Sequence, residues 1–343
     1  MSQRSVLIDG LKVLASQLIV LHHMMLYAPM ADRVAPAWPS FASFVADDAR
    51  LAVQVFLVIG GFLAARALAR GANGADGLPR LLLERWLRLV PMLAVALLAV
   101  LAASALLPRG RWPDWVTPWP SAWDFIAHLL LLQDVLHIPS LSAGAWYVSI
   151  DFQLYALLAA GTALLHRRAG RPVWCSPLPW AVALGTLASL FVFNRETALD
   201  AWAPYFFSAY GLGALATWAG RSRTMAWLFG SVWLLHAAVA WHESRPRVAL
   251  AALTALALAL LASRQSAPGR SVRWLAYWSD ASYGVFLIHY AVIVAATALW
   301  LRLGPGEAWA AWLALAGCWA ASLAAGAALQ QTVGSALARG RRA

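Results

Sequence analysis

Four ionisable groups lie in one apolar stretch, Ile8 to Tyr27: Asp9, Lys12, His22 and His23. Charged or titratable groups inside a membrane span are costly, so such groups point to a function. On a helix, Lys12 and His23 are eleven positions apart and fall within about 20° of each other. Asp9 and Ser16 share that side, whereas His22 points elsewhere. The stripe would carry a cation at one end and, roughly 16 Å further along, an imidazole able to act as a general base. The plainer alternative for His23 is a hydrogen-bonded packing residue. A second candidate lies in W-Y-V-S-I-D-F-Q-L-Y, where Tyr147, Asp151 and Tyr155 recur every four residues on one helix face. A carboxylate at the depth of His23 can fix an imidazole's tautomer and raise its basicity. It can equally be a structural partner of an arginine or tyrosine. Arg85 and Arg88 are three apart in E-R-W-L-R-L-V-P and share a helix face. They suit bidentate phosphate binding, or snorkelling toward lipid phosphates. His289 closes S-Y-G-V-F-L-I-H, which begins at Ser282.

The elements that must position these residues are membrane helices. The chain has 343 residues, 62% hydrophobic and 12% charged, and its mean hydropathy is +0.66. Soluble proteins carry about 25% charged residues. Apolar runs predict an all-α polytopic protein of about ten spans: 8–27, 49–69, 86–107, 146–166, 176–193, 199–219, 225–241, 247–263, 278–301 and 308–335. Nearly all the +11 charge is arginine, since Lys12 is the only lysine. Sorting the loops places seventeen basic residues on one face and eight on the other. That bias puts both termini in the cytoplasm, as an even span count requires. The stretch 28–48 reads as a modest outer loop. The longest outer loop, 108–145, carries Trp112, Trp115, Trp119 and Trp123, which fit an interfacial aromatic belt or sugar stacking. Its apolar stretch 125–132 is too short to span and reads as interfacial or re-entrant. Gly60-Gly61 suits close helix approach or a local helix break, with packing the favoured reading. Gly317, Ala321 and Ala325 suit tight packing of the last span.

Several classes drop out. Cys175 and Cys318 form no ligand pattern, no metal site is indicated, and no segment resembles a nucleic-acid module. The sequence holds no nucleophile elbow, phosphate loop or dinucleotide fingerprint. The first stretch lacks a small-residue cleavage site and is expected to remain as a span. One membrane-embedded domain, 1–343, is expected, without a separate soluble domain.

Five segments together resemble the acyltransferase family 3 membrane proteins. D-G-L-K followed by His23 is similar to that family's basic residue, ten-residue gap and histidine. V-Q-V-F-L-V-I-G-G-F resembles its second-span motif, with Gly60 in place of serine. R-W-L-R-L-V-P resembles its R-x-x-R plus proline. W-Y-V-S-I-D-F-Q-L-Y is similar to a motif in which glutamate is common where Asp151 stands. S-Y-G-V-F-L-I-H resembles its S-Y-x-x-Y-L-x-H. The resemblance implies transfer of an acyl group, usually acetyl, from cytoplasmic acyl-CoA to a hydroxyl of a cell-surface carbohydrate or glycolipid. Acyl-CoA is then a co-substrate, and no bound cofactor is implied. The expected setting is the bacterial inner membrane. His23 would be the general base and Asp151 its orienting partner; Lys12, Arg85 and Arg88 would meet the CoA phosphates. Ser16, Tyr147, Tyr155, Ser282 and His289 are further candidates. A transporter or flippase using the same polar stripe is the competing class.

Overall fold

The computed structural model describes residues 5–71, 77–166, 172–261, 270–304 and 306–340. Arg4, Arg167, Arg168, Arg171, Arg264, Arg341 and Arg342, all part of the expected cytoplasmic charge bias, lie outside the described residues, as do residues 72–76. The longer helices are α1 (Val6–Tyr27), α2 (Val53–Gly71), α3 (Leu78–Ser104), α4 (Ala122–Leu129), α5 (Ala145–Leu165), α6 (Leu178–Phe191), α7 (Ala203–Trp218), α8 (Arg223–His242), α9 (Pro246–Leu261), α10 (Arg270–Leu303) and α11 (Ala308–Leu329). The protein is all-α and multi-pass, with eight helices among the described residues long and apolar enough to cross a membrane.

Each of the ten expected spans has a helix, but three are short: α6 has 14 residues and reaches 18 only with the turn that carries it to Arg195. α7 and α9 have 16 residues each, about 24 Å of helix against a hydrocarbon core of about 30 Å. By contrast, α10 has 34 residues and reaches about 51 Å, longer than the span expected at 278–301. The expected outer loop 28–48 is mostly helical: short turns at Ala31–Val34, Pro39–Ser43 and Phe44–Asp48 lead through Ala49–Ala52 into α2. The proline punctuation there signalled a loop, yet Pro36 and Pro39 occupy first turns, where a missing N–H is harmless.

Packing divides the chain into two compact units, each drawn from separated stretches. The first comprises Met1–Leu11, Val53–Trp86 and Ser149–Val272. Its centre is α7, buried on almost every side among α2, α6, α8 and α9, as a helix apolar all round must be. α2 runs unbroken through Gly60-Gly61, so the glycines serve packing. A Cβ on Gly61 would meet the Tyr210 carbonyl oxygen of α7 at 1.9 Å. Only glycine permits that crossing.

The second unit comprises Lys12–Ala52, Leu87–Val148 and Arg273–Ala343. Its core gathers Val20, Met24, Ala28 and Met30 with Val285 and Ile293 of α10 and Ala311 and Cys318 of α11. α10 and α11 touch at Gly284, whose Cβ would lie 2.3 Å from the Gly326 carbonyl oxygen. The small-residue face expected at Gly317, Ala321 and Ala325 is therefore not the contact. Gly317 and Ala321 are exposed, and α11 buries Ala311, Cys318, Ser322 and Gly326 instead. An alanine-rich helix offers several small-residue stripes, and only the neighbouring helix selects one.

The apolar stretch at 125–132 forms the eight-residue helix α4, too short to span. Ser121 caps it, accepting from the Asp124 N–H at 3.2 Å while Asp124 Oδ2 accepts from the Ser121 N–H at 2.8 Å. His128, in the last turn of α4, is fully buried. Its Nδ1 donates to the Asp124 carbonyl and its Nε2 accepts from the Leu141 N–H. Burial pushes this imidazole below its ordinary pKa, in keeping with a neutral ring that clamps 122–141.

Candidate active site

In the second unit, α1 and α10 meet at two levels. Lys12 Nζ donates to the Ser279 carbonyl at 2.7 Å. Ser282 Oγ donates to the same carbonyl at 2.8 Å. At the second level, His23 Nδ1 lies 2.7 Å from His289 Nε2. The intervals, eleven residues on α1 and ten on α10, match, so the two helices run in the same direction. Ser16, between the levels, is buried and turns its hydroxyl back to the Val13 carbonyl at 2.8 Å, within its own helix. Asp9 is buried at the start of α1.

The histidine pair has an assignable tautomer. His289 Nδ1 lies 3.1 Å from the Val285 carbonyl, which can only accept. His289 Nδ1 therefore carries the hydrogen, and in the neutral ring Nε2 is an acceptor. His23 Nδ1–H then donates to it, leaving the lone pair of His23 on Nε2. The rings are parallel to within 2°. His289 is fully buried and His23 nearly so. The pair can do one thing well: hold a neutral imidazole rigidly with its basic nitrogen unspent. His22 points away, as the helical period requires, with its Nδ1 3.1 Å from the Val45 carbonyl.

Aromatic rings continue from His23. Tyr27, one turn on, has its centroid 5.6 Å from the His23 ring. Tyr27 packs on Trp115 at 5.2 Å and edge-on to Tyr290 at 5.5 Å. Tyr290, next to His289, donates its hydroxyl to the Trp115 carbonyl at 2.9 Å. Trp115 is thus pinned to α10, while Trp112, Trp119 and Trp123 are exposed at 36%, 58% and 57%, as belt residues are. Tyr147 packs edge-on to Phe286 at 5.3 Å.

In the first unit, Asp151 Oδ2 accepts from Arg85 Nη2 at 2.5 Å. The Arg85 guanidinium also sits 4.9 Å above the Tyr155 ring. Beside them, a Cβ on Gly60 would lie 3.6 Å from Asp151 Oδ1 and 3.3 Å from Cε2 of Tyr210. This is a charge-compensated pair wrapped in aromatic rings. Arg88 is exposed on α3.

Among the named candidates, the structure joins His23 to His289, and Arg85 to Asp151 and Tyr155. The sequence offered little sign of the aromatic line from Tyr27 through Trp115 to Tyr290, whose members come from three distant stretches. The adjacency of Tyr290 to His289 was the one available hint. Among the described residues, no group of His, Cys, Asp and Glu could hold a metal ion.

A family model described as an acyltransferase domain matches residues 6–329. The chain is also similar to a Caenorhabditis elegans protein named Regulator of hypoxia-inducible factor 1, with 30% identity over 146 residues. That match covers 40% of this chain and 28% of the relative, so the chain spans well under half the length of the curated relative it matches. No solved structure matches.

Proposed function

Because this chain belongs to acyltransferase family 3, we propose that it moves an acyl group, acetyl by first choice, from cytoplasmic acyl-CoA to a hydroxyl of a cell-surface or exported carbohydrate. The observation that carries this reading is the His23–His289 pair, which leaves His23 Nε2 as a general base held in one orientation. His23 Nε2 takes the proton of the acceptor hydroxyl. The alcohol oxygen bonds to the thioester carbonyl carbon. As the tetrahedral intermediate collapses, the C–S bond breaks and the thiolate of CoA leaves, receiving the proton from the imidazolium. His23 is thereby restored.

In this reading His289 holds the orienting role that the sequence suggested for Asp151. Asp151 compensates Arg85 instead. Lys12 and Arg88 meet the CoA phosphates from the cytoplasmic side. Ten spans with both termini cytoplasmic suit the arginine bias. The common direction of α1 and α10 supports that parity, since it requires an odd number of crossings between them: α7 and α9 both cross, or neither does. The proposed setting is a bacterial inner membrane.

The test is acetyl-CoA consumption by membranes holding wild type or His23→Ala at matched expression, with a surface-glycan acceptor. Transfer by the wild type and a loss of at least about hundredfold in the variant are expected. Equal rates would remove His23 from the chemistry. Passage of substrate across the membrane without CoA release would favour a transporter.

A further inference from the structure

The catalytic histidine does not end in lipid-like surroundings. Its next neighbour outward is Tyr27, on which Trp115 packs, and both are half-buried. Each presents an aromatic face and a polar tip. The Tyr27 hydroxyl and the Trp115 indole N–H make no hydrogen bond among the described residues, and neither belongs to the fully buried polar atoms. Both tips therefore remain able to bond to a ligand.

Two features show that Trp115 is held in place. Its backbone carbonyl is fixed by Tyr290, one residue beyond His289. The turn around it is closed by the Trp112 indole N–H, which donates to the Val116 carbonyl at 2.9 Å, while Val116 itself is buried. The same helical turn of α10 thus positions both the imidazole that holds His23 and the indole beside Tyr27.

We propose that Tyr27 and Trp115 form the acceptor subsite, a platform on which a pyranose ring stacks while one of its hydroxyls faces His23 Nε2. The proposal rests on the acyltransfer reading above and adds the residues that hold its carbohydrate acceptor. A sugar ring has an apolar C–H face and a polar rim. Flat aromatic surface suits the first, and a phenol and an indole N–H suit the second. An alkyl chain would leave both polar tips without partners, and a peptide would call for a ladder of backbone donors and acceptors. His22 makes no claim on this space, because its ring is tied to Val45.

The test is steady-state kinetics of the full-length enzyme in membranes, with acetyl-CoA saturating. The acceptor probe is the chemically de-O-acetylated surface polysaccharide of the cell that makes the protein. Trp115→Ala should raise the acceptor KM about fivefold to tenfold, with less than about a twofold fall in kcat. Trp115→Phe keeps a stacking face and should hold KM within about threefold of wild type. Tyr27→Phe removes one hydroxyl and no packing, and should raise KM about threefold. These last two variants keep the test sound if the alanine variant folds poorly. An unchanged acceptor KM in all three variants, or a fall in kcat alone, would overturn the subsite while leaving the acyltransfer reading in place. A wild-type enzyme that acetylates no polysaccharide, yet acetylates a non-carbohydrate alcohol at unchanged rate in Trp115→Ala, would overturn both the subsite and the carbohydrate assignment.

Discussion

The two polar clusters of this protein solve the problem of burial in opposite ways. Around His23 the groups are neutral and joined by directed hydrogen bonds, ending in a nitrogen whose lone pair is unspent. Around Asp151 the groups are charged, and the carboxylate is closed by a guanidinium at 2.5 Å that is itself covered by Tyr155. A chain of neutral donors and acceptors has a direction, so fixing one end at a backbone carbonyl sets the protonation of every member. An ion pair has no such polarity. It cancels charge and holds helices together. The first arrangement suits proton transfer, and the second suits a scaffold that must keep a carboxylate inside a membrane protein.

Mutations that treat the two clusters alike should therefore have unlike consequences. The largest effect is expected at His23. His23→Ala should remove at least about a hundredfold of transfer while the protein still reaches the membrane at wild-type level. Next is His289→Ala, which removes the anchor but not the base and should cost about tenfold to hundredfold in kcat through misplacement. His289→Gln offers an amide oxygen to the His23 Nδ1–H and should recover part of that loss. If glutamine proves no better than alanine, the tautomer assigned to the pair is wrong.

At the other cluster the expected loss is in stability. Asp151→Asn leaves the half-buried Arg85 beside a neutral amide, and removing one partner of such a pair costs about 2 to 3 kcal/mol. Lower expression and an earlier thermal transition in detergent are expected, with near-normal acyl-CoA and acceptor KM in the enzyme that survives. A large KM change with unaltered stability would show that Asp151 contacts substrate and would erase the contrast drawn between the clusters. The smallest effect is expected for Gly60→Ser. Its Cβ fits 3.6 Å from Asp151 Oδ1, but only 3.3 Å from the Tyr210 ring. The new hydroxyl can donate to the carboxylate, so a shift within about 1 kcal/mol of wild type is expected. A severe loss of expression would show that the Tyr210 ring cannot yield.

Much of the fold was legible in one dimension. Apolar runs and arginine-rich separators locate all ten helical segments, because lipid demands both long apolar stretches and internally bonded backbone. Helical period also placed Lys12 and His23 on one stripe and turned His22 away, since those statements concern single helices. The helical turns at 31–48 were missed because prolines read as loop punctuation where they begin helices. The packing stripe of α11 was missed because an alanine-rich sequence offers several equivalent faces.

The sequence by itself determined a polytopic all-α membrane protein of acyltransferase family 3, and it singled out His23, Asp151, Arg85 and His289 as residues that need a reason to be there. Partnership was decided only in three dimensions. His23 and His289 are 266 positions apart, and Arg85 and Asp151 are 66 apart. Equal depth in a membrane makes many such pairs conceivable. A hydrogen bond must be met within about 3 Å, and an unmet buried charge is costly, so the choice falls to whichever helices pack side by side. Glycines set the close crossings within each unit, Gly61 of α2 against Tyr210 of α7 and Gly284 of α10 against Gly326 of α11, and so fix the packing in which those partnerships are made.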